Sequence, residues 1–270
     1  MVADHHVHTA FCPHAAGEPR SVVERALELG MTELGFAEHL PFPPGWRPRH
    51  EVAGDWAMSW SQVDEYCAVV RDLAREYAAD IRVVLGVEAD YLDDAVEQTA
   101  EALRSYPFEY VIGSVHIVGD RFAFDHPDLR GELTAYGLDR IHLESLALAE
   151  RAAASGLFDV IGHLDHAVKF GPPADAAAVR AAASRALRAV AAAGMTVELN
   201  TAGWRKAGRP FPAPDLLAEA CSLGVPLVLG SDAHLPGDVG ADFGRAVEAA
   251  RAAGYTQLRR LSGAPPEPLA

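Results

Sequence analysis

Two pairs of residues have the spacing expected of metal ligands. His6 and His8 stand two residues apart in a segment, residues 3–8, that we predict to be a β-strand. Alternate residues of a strand point to the same face, so both imidazoles can reach one ion. Asp232 and His234 repeat this spacing near the other end of the chain, with a carboxylate in place of one imidazole. Both pairs therefore predict metal chelation.

Residues of the same chemical types stand at the ends of other predicted strands. These are His39, Glu88, His116 and His163, and the sixth strand ends in Asn200. Glu88 closes the apolar segment 83–87, where a buried carboxylate is costly unless it is paired. A position between two cations would compensate that charge, so Glu88 is predicted to bridge two ions.

Three positions leave alternatives open. After the second strand either Glu38 or His39 can be the ligand, and we favour the imidazole. His166 lies one helical turn after His163 and competes with it for the fifth-strand position. His14 lies in the loop after the first strand and can reach the same place.

The order of the predicted elements indicates how these residues are brought together. Strands are predicted at 3–8, 33–37, 82–88, 110–115, 158–163, 196–200 and 226–231. Helical patterns lie between most of them, at 21–29, 62–78, 93–105, 139–154, 174–193, 215–223 and 240–253, and long loops are predicted at 41–60 and 117–133. The repeated strand-then-helix order predicts an α/β fold with a parallel sheet, closed into a barrel, in a single domain of residues 1–270. Because the C-terminal ends of barrel strands face one mouth, the site is predicted there.

Charge, hydropathy and cysteine content limit the possible partners. The net charge of −15 over 270 residues disfavours nucleic-acid binding, although cations in a cleft would still admit a small anionic substrate. There is no apolar run long enough to cross a bilayer and no signal-peptide pattern at the N-terminus. The cysteines Cys12, Cys67 and Cys221 are odd in number and widely spaced, which fits a reducing cytosol. We predict a cytoplasmic protein without membrane or nucleic-acid partners, and a structural role for Cys12.

The residue types also limit the metal and the reaction. Mixed imidazole and carboxylate ligands suit zinc, iron or manganese, whereas calcium and magnesium prefer oxygen-rich sets. The candidate ligands are too many for one ion and fit two or three. Clustered cations activate a bridging water and neutralise charge on a phosphoryl group. Because neither a Ser–His–Asp elbow nor a glycine-rich phosphate loop is visible, a metal-activated water is the expected nucleophile.

The motifs that contain these residues resemble those of a known superfamily. They read DHHVHT at 4–9, FCPHA at 11–15, GFAEH at 35–39, GVEAD at 86–90, IGSVH at 112–116, IGHLD at 161–165 and SDAH at 231–234. In this order they resemble the polymerase-and-histidinol-phosphatase (PHP) superfamily, and most closely its histidinol-phosphate phosphatase branch. One departure is Glu38, where the superfamily more often has aspartate. The position keeps a carboxylate.

The resemblance implies a distorted (β/α)7 barrel with three divalent cations at its C-terminal mouth. The implied ligands of the first ion are His6, His8, Glu88 and Asp232. Those of the second ion are Glu88, His116 and His163, with Glu88 bridging. Those of the third ion are His14, His39 and His234.

The resemblance also implies an activity, the hydrolysis of a small phosphate ester by a hydroxide that bridges the cations. The expected reaction converts L-histidinol phosphate to L-histidinol and phosphate, a step of histidine biosynthesis, with catalytic roles for Glu88, Asp232 and His234. A PHP-type phosphodiesterase or exonuclease acting on nucleotides is the first alternative, which the net charge disfavours. A non-catalytic metal-binding domain is the second, which the full ligand set disfavours.

Residues expected to bind the substrate follow the fifth and sixth strands. The segment 198–206 also resembles the phosphatase branch, and it contains Asn200 and Arg205. Lys169 follows the fifth strand. Arginine can bind phosphate through two parallel hydrogen bonds and lysine acts as a point charge, so Arg205, Lys169 and Asn200 are predicted substrate contacts. Lys206 is the alternative to Arg205.

Overall fold

The centre of the structure is a parallel β-sheet that closes on itself at one end. The computed structural model describes residues 2–49 and 57–269. Within these residues, seven strands pair in chain order, and they are β1 Asp4–Val7, β2 Glu33–Phe36, β3 Arg82–Asp90, β4 Tyr110–Ser114, β5 Val160–Ile161, β6 Thr196–Asn200 and β7 Leu227–Gly230. Each neighbouring pair is parallel. This order is that of a β/α barrel.

Helices connect the strands and cover the outer face of the sheet. They are α1 Pro19–Glu28, α2 Val63–Glu76, α3 Val96–Ser105, α4 Leu133–Tyr136, α5 Leu138–Ser155, α6 Ala176–Ala192, α7 Ala202–Ala207, α8 Pro214–Ser222 and α9 Phe243–Ala252. The apolar sides of the longer helices and the outward-facing strand residues form one large buried cluster. In the described parts of the chain there is no helix with the length and apolarity needed to cross a membrane.

The first and last strands meet at the mouth of the barrel. The backbone N–H of His8 donates to the carbonyl of Ala233 over 2.8 Å, and the N–H of Asp232 donates to the carbonyl of His6 over 2.8 Å. These bonds join the residues immediately after β7 to β1. As a result, the pair His6 and His8 and the pair Asp232 and His234, which stand near opposite ends of the sequence, become neighbours.

A buried carboxylate stabilises this junction. Asp4, which has no exposed surface, accepts hydrogen bonds from the backbone N–H groups of His6, Ser231 and Gly240 at 3.2, 3.0 and 3.0 Å. Burial raises the pKa of Asp4, and the hydrogen bonds from Ser231, Gly240 and His6 oppose that rise. One side chain therefore connects β1 to both parts of the segment that follows β7.

The interior of the barrel is filled by a second, smaller apolar cluster. Its buried residues are Ala37, Val84, Tyr110, Ile112, Val160 and Val228. The Tyr110 ring crosses the interior and its hydroxyl donates to the carbonyls of His5 and Phe36 at 2.7 and 2.9 Å. A Cβ placed on Gly35 or Gly86 would come within 2.4 Å of this side chain, so only glycine leaves room for it.

The C-terminal segment covers the opposite end of the barrel. Leu261 packs against the interior cluster, and the Ser262 hydroxyl donates to Glu33. The His5 Nε2 lies 2.8 Å from another oxygen of Glu33, on the side away from the mouth. His5 is therefore separated from the predicted ligands, as its position in the strand indicates.

The predicted order of strands and helices is confirmed. The predicted and observed elements differ mainly in where they begin and end. β3 continues to Asp90, two residues beyond the predicted end, because β4 pairs with it as far as Ser114. Helices α4 and α7 were not predicted, nor was the antiparallel pair β8 Gln257–Leu258 and β9 Glu267–Pro268. The predicted loop 117–133 includes the 3-10 helix Pro127–Glu132. Residues 50–56 of the predicted loop 41–60 lie outside the described residues.

Gly86→Ala is expected to destabilise the barrel. The new Cβ would lie 2.2 Å from Cζ of Tyr110, whose hydroxyl is held by two carbonyls and whose ring fills the interior. Overpacking of this kind costs about 1–3 kcal/mol, which urea unfolding would measure. Gly244→Ala in α9 is the matched control, since no atom lies within 4 Å of its added Cβ. Equal losses of stability in the two variants would contradict this account of the interior.

Candidate metal centre

A cavity of about 690 Å³ opens at the C-terminal ends of the strands. The predicted ligands in its wall are His14, His39, Glu88, His116, His163, Asp232 and His234. The remaining two, His6 and His8, are buried beside Glu88. The structure thus brings together at one mouth all the residues predicted as ligands.

Glu88 occupies the middle of this group, with its two oxygens facing different sets of histidines. One oxygen, Oε2, lies 3.2 Å from His6 Nε2, 3.6 Å from His8 Nε2 and 3.0 Å from His39 Nδ1. The other, Oε1, lies 3.0 Å from His163 Nε2 and 3.7 Å from His116 Nε2. Burial would raise the pKa of Glu88, but the imidazoles of His39 and His6 hold that pKa well below its usual value. This geometry suits a carboxylate shared between two cations.

The first set of ligand atoms belongs to His6, His8 and Asp232, which lie within 4.8 Å of one another. Oδ1 of Asp232 is 3.5 Å from Nε2 of His8. Asp232 has a φ of 51°, in the left-handed region that residues other than glycine rarely adopt. Such strained residues concentrate at functional sites, where the surrounding structure holds them in place.

The second set surrounds the other oxygen of Glu88. His116, His163 and His166 have ligand atoms within 4.8 Å of one another. Asp90 accepts a hydrogen bond from the backbone N–H of His116 and lies 3.1 Å from its Nδ1, so Nε2 is the nitrogen that faces Glu88. Burial opposes protonation of His116, but the charges of Asp90 and Glu88 raise its pKa to about 9.

His163 and His166, the two candidates for the fifth-strand position, both reach this set. His163 places Nε2 against Glu88, whereas His166 contacts the carbonyl of His163 through Nδ1 at 3.2 Å. A carbonyl only accepts hydrogen bonds, so Nδ1 of His166 carries the proton and Nε2 keeps its lone pair. His163 therefore lies at the predicted position beside Glu88, and His166 lies next to it.

The third set lies nearer the solvent. His8, His39 and His234 have ligand atoms within 4.8 Å of one another, and Nε2 of His14 is 2.7 Å from Nε2 of His234. Burial, followed by the charges of His39 and His234, lowers the pKa of His14 to about 3. His14 is thus neutral at physiological pH, the state in which imidazole binds metal.

Glu198, which we did not predict to be functional, holds His6 in position. Its Oε1 lies 2.6 Å from Nδ1 of His6, and its Oε2 accepts from the backbone N–H of His163 at 2.8 Å. A carboxylate in this position fixes the tautomer and orientation of a ligating histidine. The sequence did contain a signal, because Glu198 stands two residues before Asn200 and so shares its face of β6.

Glu38 supports His8 from the other side. Its Oε1 accepts from the backbone N–H and the hydroxyl of Thr9, and its Oε2 lies 3.9 Å from Nδ1 of His8. Burial raises the pKa of Glu38 to about 7, against the opposing hydrogen bonds from Cys12 and Thr9. Cys12 is fully buried, and its sulfur accepts from the backbone N–H of His39. His8, Cys12 and Glu38 have ligand atoms within 4.8 Å of one another, and His39 rather than Glu38 faces Glu88.

The buried polar atoms at the mouth fit divalent cations. Among the described residues, His6 Nε2, His8 Nε2 and Glu88 Oε2 are buried and make no hydrogen bond. Buried polar atoms are normally paired, so such a cluster of orphaned ligand atoms requires an explanation. Imidazole and carboxylate donors a few ångströms apart are the ligands that zinc, iron and manganese prefer.

Comparison with known proteins agrees with this geometry. A family model described as the PHP domain matches residues 4–202. The chain belongs to the PHP domain family. The resemblance predicted from the sequence motifs is thereby confirmed.

Two relatives that match most of the chain are named for the same activity. A Deinococcus radiodurans protein named "Probable histidinol-phosphatase" is 41% identical over 256 residues, which cover 94% of each protein. The histidinol-phosphatase of Bacillus subtilis is 30% identical over 255 residues, which cover 88% of this chain and 95% of that protein. The predicted similarity to the histidinol-phosphatase branch of the PHP family is confirmed.

A solved structure shows the same fold. The histidinol phosphate phosphatase of Lactococcus lactis, in complex with zinc, L-histidinol and phosphate, superposes with a TM-score of 0.78 and 24% identity over 96% of each chain. At this level of identity the likeness concerns the fold. It confirms the predicted (β/α)7 barrel of the PHP type.

Lys169, a predicted substrate contact, and Lys206, the alternative to Arg205, line the cavity, whereas Arg205 does not. Lys206 lies in the wall, with Nζ 2.9 Å from Oδ2 of Asp232, and Lys169 lies in the wall against Asp125. Arg205 is not part of this wall, and it donates to the carbonyl of Ser231 at 3.0 Å. The short helix α7 decides this difference, because it turns successive side chains in different directions.

Asn200 is buried, and its side chain is hydrogen-bonded to other groups of the protein rather than open to a substrate. It has no exposed surface, its amide nitrogen donates to Glu198 at 3.3 Å, and its amide oxygen accepts from the backbone N–H of Ala202. These bonds orient Glu198 and the start of α7. Contact with the substrate, which we predicted for Asn200, finds no support in this position.

Asp125 is a second charged residue that we did not predict to be functional. It lies in the predicted loop 117–133 and lines the cavity, with Oδ2 4.0 Å from Nε2 of His116 and 3.7 Å from Nε2 of His166. Burial would raise the pKa of Asp125, but the charges of Lys169 and His166 lower it. A loop residue follows no periodic pattern, so the only signal was the length of the loop itself.

Glu198→Gln is expected to weaken metal binding. The amide keeps the shape of the side chain but loses the charge that orients His6 and raises its basicity. Loss of such a carboxylate reduces metal affinity by about 10- to 100-fold, which competition with a chelator would measure. Glu97→Gln, at an exposed position of α3, is the matched control. If both variants hold metal as tightly as the parent, Glu198 does not have this role.

Proposed function

We propose that the protein hydrolyses L-histidinol phosphate to L-histidinol and phosphate. The observation that carries this proposal is the position of Glu88, whose two carboxylate oxygens face two sets of imidazoles inside a PHP barrel. The substrate is inferred from the relative that is 41% identical over 94% of the chain. We also propose that residues 1–270 act as one domain, since Asp232 and His234 complete the site from beyond residue 202.

The cations are proposed to number three and to be zinc, iron or manganese. The first would be held by His6, His8, Glu88 and Asp232, the second by Glu88, His116 and His163, and the third by His14, His39 and His234. When bound, such cations activate water for attack on phosphorus and neutralise charge on the phosphoryl oxygens.

The side chains around the cations have separate tasks in this proposal. Glu88, Asp232 and His234 hold the reacting centre, and Glu198 and Asp90 keep His6 and His116 oriented. Lys206 contacts the phosphate, because its ammonium lies in the cavity wall beside Asp232. Burial opposes the charge of Lys206, but Asp232 and Asp125 raise its pKa, so this lysine stays protonated at neutral pH.

The cellular setting is proposed to be the cytoplasm. Cys12, Cys67 and Cys221 are all free thiols, and two of them are buried. Unpaired cysteines are typical of proteins in reducing compartments.

Phosphate release from L-histidinol phosphate tests this function directly. The protein, depleted of metal and then supplied with zinc, iron or manganese, should release phosphate from this ester and much less from a phosphodiester. Preference for the phosphodiester would favour the nucleotide-directed alternative. Metal binding without turnover of either compound would favour a non-catalytic domain.

Glu88→Gln is expected to lose both bound metal and activity. The variant removes a carboxylate that faces both histidine sets, so neither set keeps this shared anionic group. Elemental analysis and phosphate release would measure the two losses, with Glu65→Gln on the surface of α2 as the control. Unchanged metal content and turnover in Glu88→Gln would exclude the bridging role.

Lys206→Ala is expected to raise KM by about 10-fold or more without changing the metal content, because a charged hydrogen bond to phosphate is lost. Arg205→Ala is the comparison, since its guanidinium is bound to the carbonyl of Ser231. A KM equal to that of the parent in Lys206→Ala, with a raised KM in Arg205→Ala, would return the phosphate contact to Arg205.

A further inference from the structure

One corner of the cavity contains an ion pair that lies outside the proposed ligand sets. Asp125 contributes a carboxylate that is 19% exposed, and Lys169 contributes an ammonium on a side chain that is 14% exposed. The two groups form an ion pair inside the cavity wall. Neither belongs to the proposed ligand sets, and both come from segments that follow strands of the barrel, β4 and β5.

Asp125 shares this corner with a hydrogen-bond acceptor. His166 is 4% exposed, and its Nδ1 is committed to the carbonyl of His163. In the neutral ring this leaves Nε2 as an acceptor, and among the described residues that atom makes no hydrogen bond. It lies 3.7 Å from Oδ2 of Asp125. Two acceptors at this separation can share one donor that places a nitrogen about 2.9 Å from each.

We propose that the Asp125–Lys169 pair selects phosphate esters that also carry an ammonium group. The ammonium donates to Asp125 and His166, and Lys169 is released from Asp125 to contact the phosphate. This inference rests on the proposed function, since L-histidinol phosphate carries both charges on adjacent carbons.

The distance from the metal centre fits this assignment. In an ester of a 2-amino alcohol only two carbons separate the ester oxygen from the nitrogen, so the ammonium must bind close to the reacting phosphorus. Asp125 satisfies this requirement, because its Oδ2 is 4.0 Å from Nε2 of the proposed ligand His116. The aromatic side chains Phe170 and Phe211 line the same cavity and can pack against the apolar part of the substrate.

Charge balance explains why both substrate groups are needed. Breaking a largely buried ion pair is unfavourable when one charge is left without a partner. A phosphate ester without an amino group would recruit Lys169 and leave the Asp125 carboxylate unpaired. A phosphate ester that also carries an ammonium group replaces the Asp125–Lys169 pair with two pairs. Its ammonium pairs with Asp125 and its phosphate pairs with Lys169, so neither protein charge is left without a partner.

The test compares Asp125→Asn with the parent on two esters. These are L-histidinol phosphate and the phosphate ester of 3-(imidazol-4-yl)propan-1-ol, which differs only by lacking the amino group. The ratio of kcat/KM for the first ester to that for the second should fall by about 30-fold in the variant, because a charged hydrogen bond is lost from the first ester alone. Asp120→Asn, at an exposed position of the same loop and outside the cavity wall, is the control and should keep the parental ratio.

Two further measurements distinguish this role from a metal-binding or folding role. Elemental analysis should find the parental metal content in Asp125→Asn, and calorimetry with metal-loaded protein should find that L-histidinol binds about 10-fold or more weakly. An unchanged kcat/KM ratio, an unchanged affinity for L-histidinol, or a loss of metal would each overturn the proposal. If the parent hydrolyses neither ester, the proposed function fails, while the binding of L-histidinol still decides whether Asp125 recognises the ammonium.

Discussion

Glu88 places a carboxylate at the centre of the barrel mouth, where almost no water reaches it. A buried negative charge is tolerated only when positive or hydrogen-bonding groups surround it. Here histidines from several strands face its two oxygens, which divides the site into two sets of ligands with one shared member. The arrangement of the cations in our proposal follows from this carboxylate, and so does the need for histidines at successive strand ends.

Closure of the barrel is what completes the site. His8 and Asp232 can act on the same cation only because backbone hydrogen bonds join β1 to the segment after β7. Asp4 stabilises that junction with three hydrogen bonds from backbone N–H groups. The stability of the fold and the geometry of the metal centre therefore depend on the same contacts.

Carboxylates that need not touch a cation give the histidines their orientation. Glu198 contacts His6, and Asp90 contacts His116, in each case through Nδ1. Both rings consequently present Nε2 to Glu88. Such outer contacts fix the tautomer and the basicity of a ligand, and they explain why buried acidic residues at this mouth outnumber those that can reach a metal.

The sequence by itself determined the barrel and the positions of the candidate ligands, because side chains in a strand alternate with a period of two and parallel strands end at one mouth. The same rule placed Glu198 on the inner face, but its partner His6 lies 192 residues earlier in the chain, and only the folded barrel brings them together. The tertiary structure also decided that Lys206 rather than Arg205 faces the cavity and that Asp125 enters it. A loop or a single helical turn is too short to show a repeating pattern from which the orientation of its side chains could be predicted. The packing around such a segment therefore decides where its side chains point.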